Sequence, residues 1–289
     1  MNQILYWLFR FFIGFLGILP VRLVYIFSDF LAFLLFYVVK YRKKVVFNNL
    51  RNSFPEKNET EISKIAKKFY QHLCDIMVET FKAFSFSDAE MIKRYKVSNQ
   101  EILTPYFAKN QNIILSAGHY GNWEWATQSV GFQTDFQLIT LYKPLSNSLI
   151  DKYLREQRRS RKVEVVSISE TRKVFSDSYE KPAGFVMAAD QSPSNLKRAF
   201  WVKFLNQDTA CLHGVESYAK LYNLPVFFCN IQREKRGFYT VTLSLLVENP
   251  QDTTDGEISQ IYLSALEKII LEKPENYLWS HRRWKHKRN

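Results

Sequence analysis

Residues 112–131 read NIILSAGHYGNWEWATQSVG, and the fold follows from this stretch. NIILSAG (112–118) is a short apolar run ended by glycine and reads as a buried strand; WEWATQSVG then reads as a helix. The rhythm continues downstream. FQLITLY (136–142) reads as a strand, LIDKYLREQRRSRK (149–162) as a strongly basic helix, and VEVVSI (163–168) as a strand. A helix over 171–179 and the strand GFVMAAD (184–190), which ends in an acid, follow. HGVESYAKLYN (213–223) is a helix, PVFFCNIQRE and FYTVTLSLL form a closing strand pair, and GEISQIYLSALEKIILEK (256–273) is an amphipathic helix. Strands alternating with helices predict an α/β fold with a mostly parallel sheet covered on both faces. An antiparallel closing pair makes the sheet mixed. No internal repeat is present.

Upstream, SFPEKNET (53–60) reads as a turn into a long helix. Its apolar positions recur at Ile62, Ala66, Phe69, Leu73, Ile76 and Phe81. His72 and Glu79 lie on or beside this helix and read as surface or capping residues.

The 289 residues suit two domains or one large α/β domain. Hydrophobic residues at 46% and charged residues at 24% exclude a disordered or collagen-like chain. The 40 basic and 28 acidic residues leave a net charge of +12, which points to an anionic partner. Aromatics at 16% suit a protein at an apolar–polar boundary. Cys74, Cys211 and Cys229 are scattered and odd in number. They exclude a disulfide framework and a four-cysteine zinc site, and read as packing residues in a reducing compartment.

The first forty residues are the most apolar part of the chain, interrupted by Arg10, Arg22 and Asp29. No uncharged run reaches the roughly 18 residues of a clean transmembrane helix. Asp29 would cost roughly 2.5–3.5 kcal/mol at mid-bilayer. No small-residue cleavage site marks a signal peptide. The favoured reading is a helical hairpin broken at Pro20, in or dipping into one leaflet. A single span over 23–39 and a pair of soluble core helices compete with it. Lys40, Arg42, Lys43 and Lys44 follow at once and suit headgroups on the cytoplasmic side. The organisation predicted is a membrane-associated helical segment, 1–44, and an α/β domain, 45–289.

Sites in open α/β sheets lie beyond the carboxyl ends of strands, which is where His119 and Glu124 fall. A carboxylate turned back onto an imidazole is the general-base half of a hydrolase triad. No Gly-x-Ser-x-Gly elbow is present, so a substrate hydroxyl becomes the nucleophile, with backbone N–H groups at the helix start available to an oxyanion. A competing reading makes His119 a strand-end hydrogen bonder and Glu124 a first-turn helix acid. His213 with Glu216 is the rival catalytic pair. No metal site is expected, because no second His or Cys stands at ligand spacing. Arg155, Arg158, Arg159, Arg161 and Lys162 cluster on one helix and suit phosphate, or form a solvated basic face. Nucleic acid is not an expected partner, since the aromatics do not interleave with the basic stripe.

HYGNWE (119–124), AADQSP (188–193), PENYLWSHRRWK (274–285) and the Asn-Leu…Phe-Pro stretch at 49–55 together resemble one family. It is that of the late acyltransferases of lipid A biosynthesis, within the broader glycerolipid acyltransferase group. The resemblance runs over nearly the whole chain. It implies an enzyme at the cytoplasmic face of the bacterial inner membrane that needs no cofactor. Such an enzyme moves a fatty acyl chain from an acyl carrier protein thioester to a hydroxyl of a lipid A precursor, with anionic inner-membrane lipids as further partners. By matching position, His119 is the general base and Glu124 the carboxylate that orients it. Asn122, Lys143, Arg158, Arg159, Asp190, Gln191, Arg282 and Arg283 become the substrate-binding candidates. The tail Lys285-His286-Lys287-Arg288 reads as a headgroup contact. Lys143 stands where the family commonly has Arg, and ACLHGVESYA (210–219) replaces a Thr- and Gly-rich stretch. Rival readings are the same chemistry on a lysophospholipid or aminolipid, and a non-catalytic basic membrane protein.

Overall fold

The apolar run at the start of the decisive stretch forms the strand Ile113–Ala117, buried at all five positions. The computed structural model describes residues 2–159, 161–197 and 199–288. Among the described residues nine strands follow in chain order: β1 Tyr95–Val97, β2 Ile113–Ala117, β3 Gln137–Tyr142, β4 Val163–Ser167, β5 Ala183–Ala188, β6 Phe200–Phe204, β7 Gln207–Cys211, β8 Val226–Lys235 and β9 Phe238–Val247. Seven of them form one sheet in the order β1-β9-β8-β2-β5-β3-β4. Every pair is parallel except β8–β9, so the sheet is mixed and mostly parallel, as the alternation predicts. Helices pack on its faces around two apolar clusters, one centred on Phe69, Phe185 and Trp279, the other on Tyr95, Trp125 and Tyr239. Each such side chain removed from water contributes about 1.5–3 kcal/mol.

Three strands are not legible in the sequence. β1 is a three-residue edge whose partner β9 lies far along the chain. β6 and β7 form a separate antiparallel hairpin, turned by Leu205 and Asn206 at φ of 49° and 63°. Two successive left-handed residues are the signature of a tight hairpin turn. Leu205 tolerates it with its side chain fully buried in the core.

The helix Glu59–Lys82 starts where predicted, with a capping box between Asn58 and Glu61. The reading of His72 and Glu79 as surface or capping residues is overturned: each is only 2% exposed. They lie on the helix face that packs towards the β8–β9 hairpin and the loop after β2, where polar partners meet them.

The N-terminal region folds as helices Asn2–Ile18 and Val21–Phe33, the second continued by a π-helical turn, Leu34–Val38. Pro20, which has no N–H to donate, sits at the break. Both helices rest on Glu59–Lys82 through Leu16, Val24 and Val78. Their outer faces leave Trp7, Phe11, Phe15, Ile26 and Phe30 exposed. Val21–Val38 is apolar and long enough to cross a membrane by length and composition, with 22% of it buried. Asp29 does not stand alone: its carboxylate meets Arg236 at 2.6 Å, and Arg236 also bonds Asp75. The charge that argues against an apolar environment for this helix is therefore neutralised from the α/β region.

Candidate active site

β2 and β5 are parallel neighbours with Ala117 opposite Ala188. Two residues beyond each strand end, His119 and Asp190 therefore emerge side by side. His119 Nδ1 lies 2.7 Å from Asp190 Oδ1, and the His119 backbone N–H donates to Asp190 Oδ2 at 3.1 Å. A carboxylate only accepts, so Nδ1 carries a proton, and in the neutral ring Nε2 bears the lone pair. Nε2 faces the Gln191 side-chain amide at 3.1 Å. Burial lowers the His119 pKa, but Asp190, with a smaller contribution from Glu124, outweighs it and the net shift is upward. Burial raises the Asp190 pKa, yet His119 and Arg283 carry it below the usual carboxylate range.

The loop carrying His119 is fixed from three sides. Gly121 holds φ +62°, and a Cβ there would meet Ile231 at 2.8 Å. A Cβ on Gly118 would strike Leu266 at 2.5 Å. From the C-terminal side, Leu278 N–H donates to His119 O at 3.1 Å and Gly121 N–H donates to Asn276 O at 3.0 Å. The PENYLW part of the C-terminal signature thus clasps the loop. From the helix Glu59–Lys82, His72 Nε2 donates to Gly121 O at 3.2 Å, while its Nδ1 accepts from Arg233. Burial, then Arg233, lowers the His72 pKa to about 3, so this imidazole is neutral. Burial, then Asp75, raises the Glu79 carboxyl to about 7.

The candidate residues separate into distinct settings. Glu124 opens the helix Trp123–Ser129 and bonds Arg158 Nη2 at 3.0 Å. The expected direct bond from Glu124 to His119 is replaced by the Asp190 bond. Asn122 is fully buried: Oδ1 accepts from Trp125 N–H at 3.0 Å and Nδ2 donates to Glu79 at 2.7 Å. Arg283 is buried and donates to Ala210 O at 2.6 Å. Lys143, Arg159 and Arg282 are exposed. Arg155 and Arg161, from the same basic stretch as Arg159, pair with Asp151 and Asp88. His281 Nε2 accepts from Ser192 N–H at 3.1 Å. Burial first, with Asp190 opposing and His119, Arg283 and Arg42 adding, lowers its pKa to about 4.

The rival pair does not meet. Glu216 is buried and accepts from Gly256 N–H and from Ser259 N–H at the start of the helix Glu257–Glu272, while His213 faces Ser217. The three cysteines are free. Among the described residues no group of three or more His, Cys, Asp or Glu side chains could hold a metal ion.

An apolar groove borders the site. Ile76, Met77, Phe81, Phe84 and Leu154 line it beside Trp123 and Glu124, with Lys143 and Arg158 also on its wall. It abuts the N-terminal helix, whose Phe9 touches Phe81 and Tyr153. Behind the helix Trp123–Ser129, Ala117, Ala126, Leu138, Cys229 and Val241 line a second, apolar cavity. An imidazole tethered at Nδ1 to a buried carboxylate can, when neutral, accept a proton from a hydroxyl that replaces the Gln191 amide at Nε2. An apolar groove beside it suits substrates with hydrocarbon chains.

Comparison with known proteins agrees with this chemistry. The family model described as bacterial lipid A biosynthesis acyltransferase matches residues 1–286. The lipid A biosynthesis lauroyltransferase of Escherichia coli (strain K12) is 26% identical over 286 residues, covering 97% of this chain and 92% of that protein. The lipid A biosynthesis palmitoleoyltransferase of the same organism is 22% identical over 248 residues, covering 86% of this chain and 80% of that one. A lipid A biosynthesis acyltransferase of Shigella flexneri matches to the same extent. With a match that runs from the first apolar helix to the C-terminal signature, the chain belongs to the bacterial lipid A biosynthesis acyltransferase family and is an acyltransferase.

Proposed function

We propose that the protein transfers a fatty acyl chain from an acyl carrier protein thioester to a hydroxyl of a lipid A precursor at the cytoplasmic face of the inner membrane. The observation that carries this reading is the His119–Asp190 pair, with Nε2 against the Gln191 side-chain amide, beside an apolar groove. His119 Nε2 takes the proton of the acceptor hydroxyl as that oxygen attacks the thioester carbonyl carbon. The C–S bond then breaks, and the leaving thiolate receives the proton from the imidazolium. Asp190 holds the tautomer and stabilises the imidazolium through Nδ1, and Glu124 adds negative charge nearby. Positioned general-base catalysis contributes about 10²–10⁴-fold. A thiolate leaves readily, so no acyl-enzyme forms and Cys74, Cys211 and Cys229 remain packing residues.

Gln191 yields its contact with Nε2 when the acceptor hydroxyl arrives. Lys143, Arg158, Arg159 and Arg282 serve the polar, phosphorylated part of the acceptor, and the groove beside Trp123 takes hydrocarbon. Residues 1–44 hold the α/β domain, 45–289, on the membrane. Support comes from the exposed apolar faces of the two helices and the exposed Lys40, Arg42 and Lys44 that follow them. Such a surface binds by apolar burial plus attraction to anionic lipid.

The test is incubation of membranes containing the full chain with acyl carrier protein thioesters of several lengths and a lipid A precursor. Products are read by mass. The precursor should gain one acyl mass, and His119→Ala should abolish the gain. Acylation of a lysophospholipid or aminolipid alone would replace the acceptor proposed here.

A further inference from the structure

Glu79 lies on the helix Glu59–Lys82, buried beneath the loop after β2. Its Oε2 accepts from Asn122 Nδ2 at 2.7 Å and from Tyr239 Oη at 2.8 Å. Its Oε1 accepts from Tyr25 Oη at 2.8 Å, and its backbone carbonyl accepts from Trp125 Nε1 at 2.9 Å. Four elements therefore converge on one residue: an N-terminal helix, β9, the loop after His119 and the helix that begins at Trp123. Two of the four belong to the candidate active site.

Asn122 is the joint. Its Nδ2 is held by Glu79, while its Oδ1 caps the Trp125 N–H in the turn that carries Glu124. The chain His119–Tyr120–Gly121–Asn122 is thus fixed at its far end by a side chain that reaches back to a buried carboxylate. His72 stands seven residues earlier on the same helix and donates to Gly121 O. Positions i and i+7 share a helix face, so one face grips two adjacent residues of the loop.

A carboxylate is a costly choice for this place. Arg233 and Arg236 hydrogen-bond Asp75, and no cation hydrogen-bonds Glu79 among the described residues. Burying a charge without a paired cation is unfavourable unless donors replace the lost water. Three side-chain donors do so here, from Asn122, Tyr239 and Tyr25. A glutamine has one carbonyl oxygen in place of two carboxylate oxygens, so its NH₂ is satisfied only if a tyrosine hydroxyl turns to accept from it. If stability alone were at stake, an apolar side chain of similar volume would fill the space with less penalty.

We propose that Glu79 is a positioning residue for acyl transfer, fixing through Asn122 the loop that carries His119 and the helix turn that carries Glu124. This rests on the acyl-transfer reading given above. The role differs from general support of the fold, because Tyr239 and Tyr25 bond the same carboxylate from β9 and an N-terminal helix, whereas Asn122 bonds it from the loop itself.

The experiment compares Glu79→Gln, Asn122→Ser and Tyr239→Phe in the purified full chain, using an acyl carrier protein thioester and a lipid A precursor. Asn122→Ser keeps a capping oxygen for the helix and loses the bond to Glu79. Glu79→Gln and Asn122→Ser should each lower kcat at least about tenfold with KM within about twofold, and the double variant should match the worse single one. Tyr239→Phe should keep kcat within about twofold even if its melting temperature falls as far as that of Glu79→Gln. Hydrogen exchange supplies a readout independent of turnover: the peptide spanning 118–126 should lose protection in the first two variants and keep it in the third. Normal kcat in both Glu79→Gln and Asn122→Ser, or a kcat loss in Tyr239→Phe that tracks its melting temperature, would overturn the proposal. Absence of transfer by the wild-type chain would instead refute the substrate reading. Exchange over 118–126 would then decide Glu79: faster exchange in the first two variants sustains it, and unchanged exchange overturns it.

Discussion

His119 is flanked by two acidic regions that differ in almost every physical respect. On one side the end of β5 brings up Asp190, 2% exposed and bonded to the imidazole itself. On the other side the first turn of the helix Trp123–Ser129 offers Glu124, about a third exposed and bonded to Arg158. Both carboxylates raise the His119 pKa, Asp190 more strongly. Nearness in sequence thus ranks the two in the opposite order from nearness in space. The carboxylate five residues away acts on the ring through its field, and the one seventy-one residues away acts through a hydrogen bond.

Removing the base should have the largest effect. His119→Ala should lower kcat by about 10²–10⁴-fold with the fold kept, as checked by turnover and thermal melting. Combining it with Asp190→Asn should add little, because Asp190 acts through His119. Asp190→Asn comes next, at about a hundredfold or more, since an amide can select the wrong tautomer. It should also move the pH profile. Transfer needs a neutral imidazole, so the rate falls as pH drops through the His119 pKa. In the wild type that limb lies above the ordinary histidine value. In Asp190→Asn it should move to lower pH, because the largest opposing influence on burial is gone.

Glu124→Gln should cost about ten- to a hundredfold, with a smaller shift of the acid limb. A loss and a limb shift greater than those of Asp190→Asn would reverse the comparison and make Glu124 the orienting group in the substrate complex. Arg159→Ala should weaken use of a phosphorylated acceptor a few-fold and leave a dephosphorylated one unchanged, since a phosphate contact matters only when the phosphate is there. An equal loss on both acceptors would remove Arg159 from the acceptor site. The smallest effect belongs to His213→Ala, within about twofold, because His213 faces Ser217 and not the site. A large loss there would mean that chemistry occurs at the other end of the sheet.

The strands, the long helices and the place of His119 were legible because each rests on local pattern: an apolar run, a helical period, a glycine after a strand. The acid at the end of GFVMAAD was legible too, but its pairing was not. That pairing depends on β2 and β5 being sheet neighbours in the register Ala117–Ala188, and strand order is a property of the whole sheet. His72 and Glu79 were misjudged for a related reason. A polar residue in a helix looks solvated until distant donors, here Arg233, Asn122 and Tyr239, are brought to it. The edge strand β1 has three residues, too few for periodicity to register, and β7, QDTAC, carries no apolar run to mark it or its partner β6 as a hairpin.

The clasp of residues 276–278 on the His119 loop sets an order of events during synthesis. The two apolar N-terminal helices are made first and can enter a bilayer while most of the chain is still unmade. Residue 276 follows residue 119 by 276 − 119 = 157 residues, which takes roughly 8–30 s at translation rates of about 5–20 residues per second. Until Leu278 and Asn276 reach the loop, its backbone lacks the two hydrogen bonds they make with His119 O and Gly121 N–H. The His119 loop therefore gains these two backbone hydrogen bonds only near the end of synthesis, and a chain stalled before residue 276 lacks them.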